Sequence, residues 1–193
     1  MSRKPFIIPV FVPHLGCPHR CVFCNQVSIT GLTDGRVSTD EVAARILEFL
    51  DYKGPRRNSV EVAFYGGNFL GLLEVYRQAL LDEVQMFVES GKVDGIRFST
   101  RPESITEDNL AALVPYSVRG VELGAQSMDD EILLLSRRGH TAQDTEDAVE
   151  RLRAFGVNVG IQIMPGLPGD TAETILETGR RVVELQPDFV RIY

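Results

Sequence analysis

The order of apolar runs along this chain restricts the folds that it can adopt. Six short runs rich in β-branched and aromatic residues are typical of buried strands, and they alternate with stretches of helical periodicity. The strands are predicted at residues 6–12, 60–65, 95–99, 120–123, 157–164 and 189–193. Such alternation indicates an α/β fold with a parallel sheet and right-handed crossovers. An open doubly wound sheet and a complete or partial (β/α) barrel both satisfy the pattern.

Capping residues, in addition to the helical periodicity, mark the predicted helices. Ser38 or Thr39 precedes Glu41 at the first helix, and a glycine, Gly91 or Gly156, ends each of two later ones. The helices are predicted at residues 39–50, 72–90, 106–114, 129–135 with 141–155, and 171–185. The sixth strand reaches Tyr193 without a helix to cover it, so we expect residues 1–193 to be one core domain of a longer chain.

Composition is that of an ordinary globular protein, with 44% hydrophobic and 24% charged residues among 193. The net charge of −7 argues against a broad nucleic-acid-binding surface on this segment alone. The arginine pairs Arg56-Arg57, Arg137-Arg138 and Arg180-Arg181 could contact phosphate locally, although such pairs are more often solvated surface. No apolar stretch is long enough for a membrane span, and the first apolar run is short and broken by Pro9. We therefore expect a cytoplasmic protein.

All three cysteines of the chain, Cys17, Cys21 and Cys24, lie within eight residues after the first strand, in the spacing C-x3-C-x2-C. Three thiolates on one tight loop can hold three irons of a [4Fe–4S] cluster. Because the chain has no fourth cysteine, one iron would keep an open coordination position. An open iron can bind a substrate or cofactor directly, so the loop indicates a catalytic centre.

Other interpretations of the cysteines must be weighed against a cluster. A disulfide framework is disfavoured by the odd count and by the crowding of the thiols on one loop. A structural zinc site of the Cys₃His type is the stronger alternative, with His19 or His14 near the loop and His140 far along the chain. Structural zinc usually takes its ligands as pairs from two separated segments, which this spacing does not provide.

The loops after the other predicted strands also carry polar and glycine residues. Gly66, Gly67 and Asn68 follow the second strand, where residues without a Cβ let the backbone approach a ligand, although an ordinary turn would also suit them. Ser99 and Arg101 close the third strand. The later segments are Leu-Gly-Ala-Gln-Ser at residues 123–127, Arg-Gly-His at 138–140, and Met-Pro-Gly-Leu-Pro-Gly at 164–169. In a parallel barrel all these loops meet at one edge.

Together these segments resemble the radical S-adenosylmethionine (SAM) superfamily from about Val10 to Tyr193. The similarity is strongest to the branch that contains the Elongator catalytic subunit and oxygen-independent coproporphyrinogen III oxidase. The resemblance implies a (βα)₆ partial barrel with a [4Fe–4S] cluster on Cys17, Cys21 and Cys24, and SAM bound to the open iron. It implies reductive cleavage of SAM to a 5′-deoxyadenosyl radical, which abstracts hydrogen from an unidentified substrate.

The same resemblance assigns SAM contacts to particular residues. Gly66, Gly67 and Asn68 would receive the methionine amino group, although the commonest version of this element ends in Glu where this chain has Asn68. Arg138 would bind the carboxylate of SAM, a task that suits a planar guanidinium. The remaining contacts fall on Ser99, Gln126, Gln162, which replaces an acidic residue of the coproporphyrinogen enzyme, and Phe23, which would shield the cluster and offer backbone to adenine.

The resemblance also implies partners. A one-electron reductant such as flavodoxin or ferredoxin would deliver an electron to the cluster. The substrate would be tRNA or a small molecule. The main alternative is a non-catalytic Fe–S or zinc module that binds RNA or a protein partner. A structural metal site of this kind would not require the SAM-type elements that lie on several other loops. Acetyltransferase activity of the Elongator type is not carried over, because no acetyl-CoA-binding segment is found in the sequence.

Overall fold

A computed structural model describes residues 4–12, 15–24, 36–54 and 58–193. Its single sheet contains six parallel strands in the order β1-β2-β3-β4-β5-β6. The strands are β1 Phe6–Phe11, β2 Val60–Tyr65, β3 Gly95–Thr100, β4 Val118–Gln126, β5 Asn158–Ile163 and β6 Phe189–Ile192. The strand order never reverses, which excludes a doubly wound sheet. The fold is an open (βα)₆ half-barrel, so the expected partial barrel is confirmed.

Among the described residues, six α-helices connect the strands, with short 3₁₀ turns at Phe69–Gly71 and Pro102–Ser104. Capping boxes begin three of the helices, on Ser38 with Glu41, on Thr141 with Asp144 and on Thr171 with Thr174. The helices are α1 Thr39–Lys53, α2 Glu74–Glu89, α3 Glu107–Ala111, α4 Asp130–Leu135, α5 Ala142–Phe155 and α6 Ala172–Glu184. All the predicted elements are present, with ends shifted by a few residues.

Strand β4 shows the largest difference from the sequence-based prediction, because it continues three residues past Leu123. A register irregularity lies between Leu123 and Gln126, after which Gln126 pairs with Ile163. The Gln126 carbonyl then accepts a hydrogen bond of 2.9 Å from the backbone N–H of Met164. This irregularity places Gln126 at the carboxyl edge of the sheet with a positive φ of 72°.

The two faces of the sheet differ in chemistry. One face is apolar and packs on the helices, with Phe64 and Phe98 stacked on either side of Phe69 at ring-centroid distances of 4.7 and 4.8 Å. The other, inward face carries charged and polar side chains that bond across the strands, among them Glu122 and Arg191. The core of the domain therefore lies between the sheet and its helices, and the concave side is polar.

Two sequence-based interpretations fall on residues that the structure does not describe, the Arg56-Arg57 pair and His14. In the part of the chain that is described, no helix is long and apolar enough to cross a membrane.

Candidate functional site

The cysteine loop, residues 17–24, follows β1 at the carboxyl edge of the sheet, where parallel barrels collect their reactive groups. The two residues just before this loop, Leu15 and Gly16, are crossed closely by the segment after β2. A Cβ on Gly16, which has a φ of +77°, would overlap the backbone of Asn68 and Gly71. A Cβ on Gly67 would lie 2.6 Å from the carbonyl oxygen of Leu15. Glycine is therefore required on both segments for the backbones to cross.

Asn68 joins this crossing to β3. Its amide nitrogen donates to the Gly16 carbonyl at 2.8 Å and to the Ser104 hydroxyl at 2.9 Å. Its carbonyl oxygen accepts from the Thr100 hydroxyl at 2.6 Å and from the Arg101 backbone N–H at 3.1 Å. All four hydrogen bonds of a buried amide are thus made within the protein. The Asn68 side chain fixes the segment before the cysteine loop to the end of β3, and its contact with the methionine amino group stays a prediction.

The second half of the cysteine loop rests on the turn that follows α4. The Val22 backbone N–H donates to the Ser136 carbonyl at 3.2 Å. The His19 imidazole lies so close to Gly139 that a Cβ there would overlap the ring, and Gly139 has a φ of +74°. The loop is therefore held from two sides, by the segment after β2 and by the Arg-Gly-His segment.

Cys21 is the buried member of the three cysteines, at 8% exposure, whereas Cys17 and Cys24 are exposed. Two guanidinium groups converge on its thiol. Arg138 Nη1 lies 3.4 Å from Cys21 Sγ, and Arg101 Nη1 lies 3.7 Å from the same sulfur. Arg138 also donates to the Gly124 carbonyl and lies over the ring of Phe23 at 5.9 Å. The site thus combines a thiol with two buried positive charges.

Several buried polar atoms without a partner in the described part of the chain suit a ligand that both accepts and donates hydrogen bonds. Arg101 Nη2 and Arg138 Nε are buried donors with no hydrogen-bond acceptor, and Gln126 Oε1 is a buried acceptor with no donor. Buried polar atoms of this kind are costly unless a bound group satisfies them. Thiolate, sulfide and carboxylate all accept from guanidinium, so this donor set fits a cluster and an amino acid-like ligand.

Burial and charge shift the pKa values of several groups in the site. Burial raises the pKa of the Cys17 thiol, partly opposed by the positive charge of Arg101. Burial lowers the pKa of Arg138, and the charge of Arg101 lowers it further. For Arg101 burial also acts to lower the pKa, but the hydrogen bond from Arg101 to Glu103 and the charge of that carboxylate outweigh it and leave the pKa raised. Arg101 is therefore a firmly held cation beside Cys21.

His140 follows the arginine segment and is buried. Burial lowers its pKa to about 3, with Arg138 and Arg101 adding to the effect. Its Nδ1 atom lies 3.6 Å from Glu103 Oε2. At neutral pH the ring is uncharged, so this contact is a dipolar one.

Ser99 and Gln162 lie on the inward face of the half-barrel and contact each other. Gln162 Nε2 donates to Ser99 Oγ at 3.2 Å and to Glu122 Oε2 at 3.0 Å. Glu122 is fully buried and also accepts from the Tyr65 hydroxyl at 3.0 Å. Arg191 Nε lies 2.7 Å from Glu122 Oε2. The structure therefore joins these two predicted residues directly to each other, and Gln162 also to Glu122.

Several residues of the site were missed in the sequence. Arg97 was not singled out, yet it bonds Glu61 at 2.7 Å and lies 3.8 Å from Glu122. Tyr65 and Arg191 complete the same inward cluster, and Glu103 holds Arg101. Strand alternation was the available signal, because Arg97 and Ser99 on β3 share one face of the sheet.

Metal-ligating side chains do not converge on a single point. Within residues 4–12, 15–24, 36–54 and 58–193, no three His, Cys, Asp or Glu side chains are gathered as ligands of one ion. A [4Fe–4S] cube carries its cysteine ligands on different irons, so such a cluster does not require their sulfurs to meet at one point.

A family model described as the Radical SAM superfamily matches residues 11–182 of this chain. The chain belongs to the radical SAM superfamily. Members of this family carry a [4Fe–4S] cluster and SAM, which agrees with the cysteine loop and with the two buried arginines, Arg101 and Arg138, beside Cys21. Membership supports an enzyme, and the resemblance drawn from the sequence is confirmed.

Curated relatives and solved structures show which proteins the chain is similar to. The chain is 28% identical to tRNA uridine(34) acetyltransferase of Dehalococcoides mccartyi over 218 residues, an alignment that covers 96% of this chain and 48% of that protein. Archaeal Elp3 of Methanocaldococcus infernus has a TM-score of 0.72 at 23% identity, covering 100% of this chain and 46% of its own. Coproporphyrinogen III oxidase (HemN) of Escherichia coli has a TM-score of 0.66 at 21% identity, and the match covers 100% of this chain and 45% of that protein. The chain thus spans about half the length of these relatives.

Proposed function

We propose that this chain is a radical SAM core at residues 1–193 that holds a [4Fe–4S] cluster on Cys17, Cys21 and Cys24 and binds SAM at the open iron. The observation that carries the proposal is the buried Cys21 thiol facing two guanidinium groups with unused donors. When bound, the cluster supplies the electron that cleaves SAM reductively to a 5′-deoxyadenosyl radical for hydrogen abstraction. The chain's own residues then bind, orient and shield the two groups.

The orphaned atoms suggest how SAM would be oriented. Arg138 offers its free Nε, together with the Nη atoms it now shares, to the carboxylate of the methionine part. Gln126 offers its buried Oε1 as a further acceptor for the amino group, in addition to the Gly66-Gly67-Asn68 element. Gly66 and Gly67 bring main chain close to the cysteine loop, and Phe23 packs under Arg138. Ser99 and Gln162 would contact SAM from the inward face.

The substrate and the electron donor belong to the same proposal. The relative from Dehalococcoides mccartyi is named for its action on tRNA uridine 34, so tRNA is the first substrate class to test, and small molecules are the second. A net charge of −7 implies that any tRNA contact would be local rather than spread over the surface. A flavodoxin or ferredoxin would deliver the single electron.

Anaerobic reconstitution tests the proposal directly. We expect about four irons and four sulfides per chain, and a change in the electron paramagnetic resonance (EPR) spectrum of the reduced cluster when SAM is added. Cys17→Ala, Cys21→Ala and Cys24→Ala should each abolish the cluster, because the chain has no spare thiol. Val22→Ala, an exposed site between two ligands, is the matched control and should keep it. Stoichiometric zinc with no cluster after reconstitution would contradict the proposal and favour a metal-binding module.

A further inference from the structure

Arg101 is buried beside the cysteine loop, and the SAM assignments above leave it without a task. It lies at the end of β3 with 4% exposure, and its Nη1 atom is 3.7 Å from Cys21 Sγ. Its Nη2 atom is a buried donor with no acceptor among the described residues. Two donors of one guanidinium are therefore available next to a proposed cluster ligand.

The position of Arg101 is fixed from several directions. Its backbone N–H donates to Asn68 Oδ1 at 3.1 Å, and its backbone carbonyl accepts from Ser104 N at 3.1 Å. Its Nε atom donates to Glu103 Oε1, a carboxylate that is itself mostly buried. A long side chain held at its backbone, its Nε and its terminal nitrogen presents its charge at a defined place.

We propose that Arg101 sets the reduction potential of the cluster by placing a fixed positive charge and an N–H donor against the Cys21 sulfur, with Glu103 limiting that charge. The inference rests on the proposed function, since it requires a cluster on the cysteine loop. Arg101 acts here as a positioning and tuning residue, because it touches a ligand sulfur and not the reacting atoms.

The charges near the cluster determine in which direction its reduction potential shifts. Reduction adds one negative charge to the cluster, so a nearby cation in a poorly hydrated site stabilises the reduced form. Hydrogen bonds to ligand sulfur act in the same direction, and they are among the means by which proteins tune Fe–S potentials. The Glu103 carboxylate opposes both effects. Loss of Arg101 should therefore lower the potential, and loss of the Glu103 charge should raise it.

Redox titration of the reconstituted chain without SAM, followed by EPR of the reduced cluster, measures the effect. At a fixed ambient potential, Arg101→Met should lower the ratio of reduced to oxidised cluster by roughly tenfold, which is about 59 mV for one electron. Arg101→Lys should fall between Arg101→Met and the unaltered chain, because it keeps the charge but loses the planar fork. Glu103→Gln should raise the ratio. Arg180→Met removes an exposed arginine paired with Glu177 and should leave the ratio unchanged.

Opposite shifts in Arg101→Met and Glu103→Gln, at equal iron content, would establish the inference. Coincident midpoint potentials in all variants would overturn it, as would shifts in the same direction, which indicate a loosened loop. An unchanged potential with weakened SAM binding would assign Arg101 to SAM instead and would also overturn it. If neither Arg101 variant retains iron, Glu103→Gln decides by its direction. Failure of the unaltered chain to form any cluster would reject the proposed function itself.

Discussion

Burial distinguishes Arg138 from its neighbour Arg137 and from Arg180. Arg137 and Arg180 are exposed, whereas Arg138 is 6% exposed and reaches both Cys21 and the Gly124 carbonyl. The sequence presents these pairs alike, so the pairs themselves could not reveal which arginine enters the site. The neighbouring Gly139-His140 and the family resemblance singled out Arg138, and its location beside the cysteine loop agrees with that assignment.

Arg138→Ala should weaken SAM binding, because it removes a charge-assisted contact to the carboxylate. The expected loss is about 1.5–3 kcal/mol, or roughly tenfold or more in dissociation constant. Equilibrium binding of SAM to anaerobic, cluster-loaded protein measures it, with iron content checked in parallel. Arg180→Ala is the control at an exposed position and should bind SAM like the unaltered chain. Unchanged affinity in Arg138→Ala would remove this residue from the SAM site.

His140 should make the stability of the metal-free chain depend on pH. The folded protein holds its pKa near 3, whereas the unfolded chain titrates near the ordinary value of about 6.5. Between these values the unfolded state binds a proton that the folded state does not, so stability falls as the pH falls through this window. His140→Gln should remove about 1–2 kcal/mol of the loss between pH 7.5 and 5, measured by urea unfolding. Equal slopes in the unaltered chain and in His140→Gln would refute the assignment.

At the scale of elements, local signals predicted most of what the structure contains. The capping residues Ser38 and Thr141 mark helix starts that the structure confirms, because caps act through backbone groups a few residues away. The extension of β4 to Gln126 was not predicted, since it depends on pairing with β5 far along the chain. The close crossing of the cysteine loop by the Phe69–Gly71 turn was likewise invisible, although both segments showed glycines.

Gly71→Ala tests that crossing. A Cβ at Gly71 would overlap the Gly16 carbonyl and the Asn68 amide, so the turn or the cysteine loop must shift. Overpacking of this kind typically costs about 1–3 kcal/mol. Gly179→Ala is the matched control, because Gly179 lies in α6 with open space where its Cβ would be. That control should gain about 0.5–1 kcal/mol from helix propensity, and thermal or urea unfolding of the metal-free chains reports both changes.

For the whole molecule, the inward polar cluster is the feature that sequence could not reveal. Glu122 on β4 bonds Tyr65 of β2, Gln162 of β5 and Arg191 of β6. Alternation places each of these residues on the inward face, but only the curvature of the sheet brings strands two, four and six within bonding distance. The half-barrel is thus joined across its concave side by polar contacts as well as along its ladders.

Glu122→Gln should destabilise the half-barrel, because it removes the buried negative charge that Arg97 and Arg191 both face. We expect a loss of about 1–3 kcal/mol in urea unfolding, kept modest because Arg191 is partly exposed. Glu177→Gln breaks an exposed pair with Arg180 and should change stability by less than about 0.5 kcal/mol. Equal effects of the two substitutions would show that the inward cluster does not hold the strands together.

The unequal exposure of the three cysteines has a practical consequence for handling the purified protein. Cys17 and Cys24 face solvent, while Cys21 is enclosed, and the loop that carries them lies outside the apolar core. Air oxidation during handling would therefore modify the exposed Cys24 first, because the raised pKa of Cys17 keeps that thiol protonated and Cys21 is enclosed. Such a sample would keep the apolar core that stabilises its fold, yet it could no longer be loaded with iron. Ageing of this protein would go unnoticed by any assay that looks only at its folding.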